Sequence, residues 1–124
     1  MVRSLEGGRP VVSVRTRERD GIVIVDLDGK LMGGADSDPI REEFRRLAES
    51  GSSKVLINLE AVPWMNSSGL GVLLAAFIQL RKAGGAMRFV HAQERVRGIL
   101  TTTKLEKMIE SFDNEEDALA SFRH

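Results

Sequence analysis

The hydrophobic positions near the start of the chain alternate with polar ones. Val12, Val14 and Thr16 alternate with Ser13 and two arginines, which predicts a half-exposed strand with a period of two. The Asp20-Gly21 pair follows as a turn signal, and residues 22–27 are then apolar on both faces. These patterns predict a β-hairpin whose second strand lies centrally in a sheet.

Further along the chain, short apolar runs alternate with segments whose apolar residues recur every three or four positions. The runs predict strands and the spaced segments predict helices. In chain order we expect a helix that begins near residue 38 and ends at 51, a strand at 54–59, a helix from 67 to 84, a strand at 87–91, a helix at 94–102, a brief strand near 108–112 and a final helix. Because a helix separates the strands around residues 57 and 89 from the strand before each, these two should be parallel to the second strand of the hairpin. The sequence therefore predicts a single α/β domain with a mixed β-sheet flanked by helices.

Polar residues suited to capping stand at the start of three of these helices. Asp38 is expected to cap the first helix, with Pro39 at its first position, where a missing N–H is tolerated. Asp113 is expected to cap the last helix, and Glu116 three residues later completes a capping-box pattern. Ser67 stands at the start of the most apolar helix. These residues set the expected helix boundaries.

The first ten residues lack hydrophobic periodicity and end in Gly-Gly-Arg-Pro, so residues 1–10 are expected to be a flexible tail and 11–124 the folded domain. The length of 124 residues corresponds to about one domain. The longest apolar run, residues 70–78, contains a glycine and is far shorter than the roughly 20 residues of a membrane helix. The N-terminus has no apolar stretch typical of a secretory signal. We therefore expect a cytoplasmic protein without membrane contact.

Charge and composition exclude several classes of function. Eighteen basic residues balance eighteen acidic ones, which argues against nucleic acid as a direct partner. There is no cysteine, and His91 and His124 are the only histidines, so neither a metal site nor a cofactor is expected. No GxSxG pattern supports nucleophilic catalysis, and an enzyme is not expected. Arg15, Arg17 and Arg19 form a basic stripe typical of a protected edge strand.

The segment before the apolar helix holds the residues with most potential for function. Trp64 and Met65 are neighbours in an extended segment, so their side chains should point in opposite directions, one into the core and one available to a partner. Ser67 can cap the N–H groups at the helix start. It is also suited to carry a phosphate, because the helix N-terminus favours an anion. Both roles of Ser67 are compatible with the pattern.

Three motifs in order make the chain resemble a known family. Residues 56–59 (LINL), 62–71 (VPWMNSSGLG) and 83–85 (AGG) resemble the STAS family of anti-sigma factor antagonists. The likeness extends from about residue 11 to 122 and covers nearly the whole domain. In that family a strand is followed by a loop reading Asp-Ser-Ser/Thr-Gly-Leu-Gly at a helix start, the helix closes near Gly-Gly, and a later Gly-Leu pair follows a short helix. Here these positions are residues 66–71, 84–85 and 104–105.

The resemblance implies a bacterial regulatory protein without catalysis of its own. In its unmodified form such a protein binds an anti-sigma factor that is also a serine kinase, and phosphorylation of the first serine of the pair, here Ser67, releases it. A serine phosphatase then restores the unmodified form. The resemblance places the partner-binding residues in two segments, with Gly34, Asp36, Asp38 and Arg41 in the first and Trp64, Met65, Asn66, Ser67, Ser68 and Gly69 in the second.

The sequence departs from the family pattern at three positions, and other interpretations stay open. Asn66 replaces the usual aspartate, Met32 replaces a frequent acidic residue, and Lys104 replaces the glycine before Leu105, a change interpreted as structural. A STAS subunit of another regulatory or transport complex, without serine phosphorylation, is the alternative to partner switching. A serine-dependent enzyme is the third interpretation.

Overall fold

The computed structural model describes residues 12–123, so the tail expected at residues 1–10 lies outside the described residues. In the described part, five strands alternate with four α-helices, as the periodicity predicts. The elements are β1 (Ser13–Arg19), β2 (Ile22–Asp28), α1 (Asp38–Glu49), β3 (Lys54–Ala61), α2 (Ser67–Lys82), β4 (Ala86–Val90), α3 (Glu94–Thr102), β5 (Ser111–Phe112) and α4 (Glu115–Ser121). Short 3₁₀ turns precede α1 at Gly34–Ser37 and follow α3 at Leu105–Lys107. The α/β fold class is therefore confirmed.

The strands form one mixed sheet in the order β1-β2-β3-β4-β5. β1 and β2 are antiparallel, and each later neighbouring pair is parallel, so the predicted hairpin and the parallel pairing are both confirmed. β5 is shorter than expected and has only two residues. The reason is that Met108 N donates to Leu105 O at 2.9 Å and so still belongs to the preceding turn.

The larger core lies between one face of the sheet and the helices α1, α2 and α3. Val25, Ile57 and Phe89 stand side by side on three neighbouring strands and are fully buried. Phe44 of α1 and Leu73 of α2 pack into the same cluster. None of the helices in the described residues is both long and apolar enough to cross a bilayer.

The other face of the sheet is covered by α4. Ala118, Leu119 and Phe122 pack on Ile24 and Leu56 in a smaller buried cluster. The same cluster includes Val90 of β4, so it extends across the neighbouring strands β2, β3 and β4. The inward face predicted for the last helix is confirmed.

Two predicted helix caps are displaced by one residue. Ser37, not Asp38, is the residue before α1, and it makes no side-chain capping bond. At α4 the cap is Asn114 rather than Asp113, and Asn114 Oδ1 accepts from Asp117 N at 2.8 Å. Asn114 has the extended backbone that directs a side-chain oxygen at the third helical N–H. The two predictions were wrong because Ser, Asp and Asn have similar capping preferences, so residue type alone does not distinguish one of them from its neighbour.

The basic stripe of β1 anchors α4 to the sheet. Arg17 Nε donates to Asp26 Oδ2 at 2.8 Å, and Arg17 Nη2 donates to Glu115 Oε1 at 3.0 Å. Arg19 Nη1 also donates to Glu115, at 2.6 Å. The hydrogen bond from Arg17 lowers the pKa of Glu115. Burial opposes ionisation of Asp26, but the hydrogen bonds from Arg17 and Asn58 hold its pKa below the ordinary value. These arginines thus have a structural role besides protecting the edge.

Candidate functional site

The loops that follow β2 and β3 run side by side. Leu31 N donates to Trp64 O at 3.0 Å, and Asn66 N donates to Leu31 O at 3.1 Å. These bonds form a parallel bridge between Leu31 and Met65 beyond the end of the sheet. Because the carboxyl ends of parallel strands meet at one edge, the loop at residues 31–34 is held against the start of α2.

Two glycines allow this close approach. A Cβ at Gly69 would lie 1.8 Å from Leu31 O, so only glycine fits where α2 passes the backbone of Leu31. Gly33 has a φ of 82°, and a Cβ there would lie 2.5 Å from Ser68 Cβ. The structure therefore brings the Gly33-Gly34 loop into contact with the Ser67-Ser68 pair, although the two segments are more than thirty residues apart in sequence.

Asn66 caps α2 and sets the position of Ser67. Asn66 Oδ1 accepts from Gly69 N at 2.9 Å, and Leu70 N donates to Asn66 O at 2.9 Å. Ser67 is the first residue of the helix rather than its cap, so the expected capping role of Ser67 is wrong. Since Asn66 already satisfies the Gly69 N–H, the hydroxyl of Ser67 is not needed to cap the helix start.

The two serines face different surroundings although both are exposed. The Ser68 Cβ atom lies beside Gly33. Ser67 borders an open groove between α2 and the segment that follows α3, lined by Ser67, Leu70, Gly71, Leu74, Thr103, Leu105 and Met108. Ser67 is thus the serine that opens onto this groove, while Ser68 belongs to the contact between loops.

Trp64 and Met65 point in opposite directions, as their extended backbone predicts. Met65 is 0% exposed and packs in the larger core. Its expected place among the partner-binding side chains is therefore wrong, because a fully buried side chain cannot reach a partner. Trp64 is 37% exposed, and the guanidinium carbon of Arg95 lies 5.7 Å from the centre of its ring. Trp64 is the exposed member of the pair.

The first predicted segment forms a compact loop beside Ser68. Arg41 Nη1 donates both to Gly34 O and to Asp38 Oδ1, each at 2.9 Å. Asp36 lies half-buried in the 3₁₀ turn between them. Gly33 connects this loop to Ser68 through the contact described above. The structure therefore brings the two predicted segments together on one surface.

Residues after α3 also reach this surface, and the sequence did not assign them to it. Thr103, Leu105 and Met108 line the groove with Ser67. The signal that could have found them is the family Gly-Leu pair, because Lys104 occupies the glycine position with a left-handed φ of 64°. The structural interpretation of this departure agrees with that backbone.

The arrangement has the features of a binding surface. Among residues 12–123, no three His, Cys, Asp or Glu side chains are grouped to hold a metal ion. The carboxyl groups with lowered pKa values, Asp26 and Glu115, belong to the α4 anchor on the other face of the sheet. What remains at the start of α2 is an exposed hydroxyl, an exposed aromatic ring, a charged loop and an apolar groove.

Comparison with known proteins assigns the family. The STAS domain family model matches residues 13–118. The anti-sigma F factor antagonist of Paenibacillus polymyxa is 28% identical over 109 residues, which cover 87% of this chain and 92% of that protein.

Solved structures give the same fold. The crystal structure of an anti-sigma factor antagonist from Mycobacterium paratuberculosis has a TM-score of 0.78 at 23% identity, covering 91% of this chain and 95% of that one. The phosphorylated form of the Bacillus cell fate determinant SpoIIAA has a TM-score of 0.69 at 20% identity, covering 90% of this chain and 100% of that one. Because the family model spans most of the sequence, the chain belongs to the STAS domain family.

Proposed function

We propose that the chain is an anti-sigma factor antagonist that works by partner switching. Its unmodified form binds an anti-sigma factor that is also a serine kinase, and phosphorylation of Ser67 releases it. A serine phosphatase restores the binding form. The observation that carries the proposal is the position of Ser67, an exposed residue at the start of α2 that borders an uncharged groove. The anti-sigma F factor antagonist relative supports the choice of partner.

The surroundings of the two serines favour Ser67 as the acceptor. Ser67 lines the groove, whereas the Cβ atom of Ser68 lies against Gly33. A phosphate on Ser67 lies at the N-terminus of a helix of 16 residues, where the unpaired N–H groups and the helix dipole favour an anion. Asn66 caps this helix without adding a negative charge. The fold is therefore expected to survive the modification.

Release follows from the desolvation of charge. A phosphate adds about 1.5 to 2 negative charges at neutral pH. Binding would remove water from the surface around Ser67, and an uncompensated charge buried in this way costs roughly 3–5 kcal/mol. Since about 1.4 kcal/mol corresponds to tenfold in affinity, phosphorylation should weaken binding by roughly two to three orders of magnitude.

The experiment begins by identifying the partner. Unmodified protein is used in a pull-down, the bound protein is identified by mass spectrometry, and the purified partner is incubated with the chain and ATP. We expect a kinase-type anti-sigma factor that adds one phosphate to Ser67. Ser67→Ala should block phosphorylation and still bind, and Ser68→Ala should be phosphorylated like the unaltered protein.

The binding measurements then test the switch itself. Ser67→Glu should be folded, as judged by circular dichroism, and should bind the anti-sigma factor poorly. Phosphate on Ser68 would move the site by one residue. Equal binding by Ser67→Ala and Ser67→Glu would remove the switch and favour a STAS subunit of another regulatory or transport complex.

A further inference from the structure

The groove beside Ser67 lacks charged lining residues. It is lined by seven residues, Ser67, Leu70, Gly71, Leu74, Thr103, Leu105 and Met108, none of which carries a charge. Charged residues make up 29% of the chain, so an uncharged surface of this extent differs from the rest of the molecule. Groups of exposed apolar side chains on a soluble domain mark sites of contact.

Exposed apolar side chains gather around the same end of α2. The large hydrophobic residues that are exposed in the described part of the chain are Met32, Trp64, Ile78 and Met108. Trp64 precedes Ser67 by three residues, and Met32 is next to Gly33, which contacts Ser68. Met108 lines the groove together with Ser67. Three of the four therefore belong to segments that meet at the start of α2, and exposed apolar residues of this kind are typical of the centre of an interface.

The size of the groove indicates its occupant. Its volume is about 240 Å³, and it is open to solvent on one side. Small-molecule pockets usually enclose roughly 300–1,000 Å³. The groove is therefore too small and too open for a whole ligand and matches one or two side chains presented by a protein. Its lining offers no charged partner, so those side chains should be apolar.

We infer that the groove receives an apolar side chain of the anti-sigma factor, with Met108 and Leu74 as its walls. This inference rests on the proposed function and specifies the chemistry of the partner. It also gives a local reason for release, because a phosphate on Ser67 would border an apolar contact whose lining residues include no cation. The same contact would tolerate the uncharged hydroxyl of the unmodified serine.

The test compares two exposed apolar residues, one in the groove and one outside it. Met108 is 54% exposed and lines the groove, whereas Ile78 is 45% exposed on α2 and is not among the lining residues. Affinity for the purified anti-sigma factor is measured by calorimetry for Met108→Ser, Ile78→Ser and the unaltered protein. Circular dichroism checks that all three are folded.

We expect Met108→Ser to bind at least about tenfold more weakly, as truncation of an interface anchor does, and Ile78→Ser to bind like the unaltered protein. Met108→Leu should restore most of the affinity because it keeps an apolar side chain. If the unaltered protein does not bind the anti-sigma factor, the proposed function fails. If the unaltered protein binds the anti-sigma factor and Ser67→Glu does not, two results overturn the role of the groove alone. One is normal binding by Met108→Ser, and the other is equal weakening of binding by Met108→Ser and Ile78→Ser.

Discussion

Gly69→Ala is expected to disturb the contact between the start of α2 and Leu31 in the loop that follows β2. The added Cβ would lie 1.8 Å from Leu31 O, 2.4 Å from Leu31 C and 2.9 Å from Leu31 Cβ. Two of these atoms belong to the backbone, so a change of side-chain rotamer cannot relieve the overlap. The start of α2 must therefore move away from the loop after β2 by roughly 1 Å.

The size of the effect follows from the groups that this movement disturbs. Overpacking of this kind costs about 1–3 kcal/mol. The movement also stretches the hydrogen bond from Asn66 N to Leu31 O, now 3.1 Å, which adds about 1 kcal/mol. Replacing a helical glycine by alanine returns about 0.5–1 kcal/mol. The free energy of unfolding should therefore fall by about 1–3.5 kcal/mol.

Gly71→Ala provides the matched control in the same helix. No atom outside its own helix and neighbouring residues lies within 4 Å of a Cβ at Gly71. This substitution should raise the free energy of unfolding by about 0.5–1 kcal/mol. Urea unfolding monitored by circular dichroism measures both changes. Equal stability of the two alanine variants would refute the close approach of α2 to Leu31.

Two further predictions concern local backbone geometry. Lys104→Gly should raise the free energy of unfolding by about 0.5–1 kcal/mol, because φ at Lys104 is 64° and glycine relieves the left-handed strain, whereas Lys107→Gly in the adjoining 3₁₀ turn should lower it. Thermal unfolding of both variants tests this, and a loss of stability in Lys104→Gly would contradict it. Asn66→Ala should cost about 1 kcal/mol through the lost cap, and Ser67→Ala less than about 0.5 kcal/mol. In urea unfolding, a larger loss for Ser67→Ala would reverse the assignment of the cap.

The fold could be predicted because its signals are local. The period-two pattern at β1 and the double-sided apolar run at β2 identify an edge strand and its central neighbour, and both are found. Parallel pairing of β3 follows from the intervening helix α1. Each of these inferences depends on residues within one element or on its immediate neighbours in the chain.

Helix boundaries could not be fixed from the same signals. Asn66 and Ser67 are both favourable caps, as are Asp113 and Asn114. The choice between neighbours depends on which residue has the extended backbone that aims its oxygen at the helix, and tertiary contacts decide this. At Asn66 the backbone bond to Leu31 O holds that conformation. A contact across more than thirty residues thus determines a feature that looks local in the sequence.

The groove could not be foreseen for a related reason. Met108 follows Ser67 by about forty residues, and the sequence pattern predicts it at the start of a brief strand near residues 108–112. In the structure, the 3₁₀ turn at Leu105–Lys107 brings Met108 beside α2 instead. The left-handed backbone of Lys104 starts that turn. The glycine that the family pattern has at this position is therefore the only local indication of the turn.

The replacement of the family aspartate by Asn66 separates two roles that an aspartate combines. The amide oxygen of Asn66 accepts from Gly69 N at 2.9 Å, so the helix start is as well capped as it would be by a carboxylate. The neutral amide adds no negative charge beside Ser67, and a phosphate there would meet only the favourable end of the α2 dipole. The acidic residue is thus unnecessary for the fold of this chain. A negative charge at this position is therefore not required to hold the start of α2 in place.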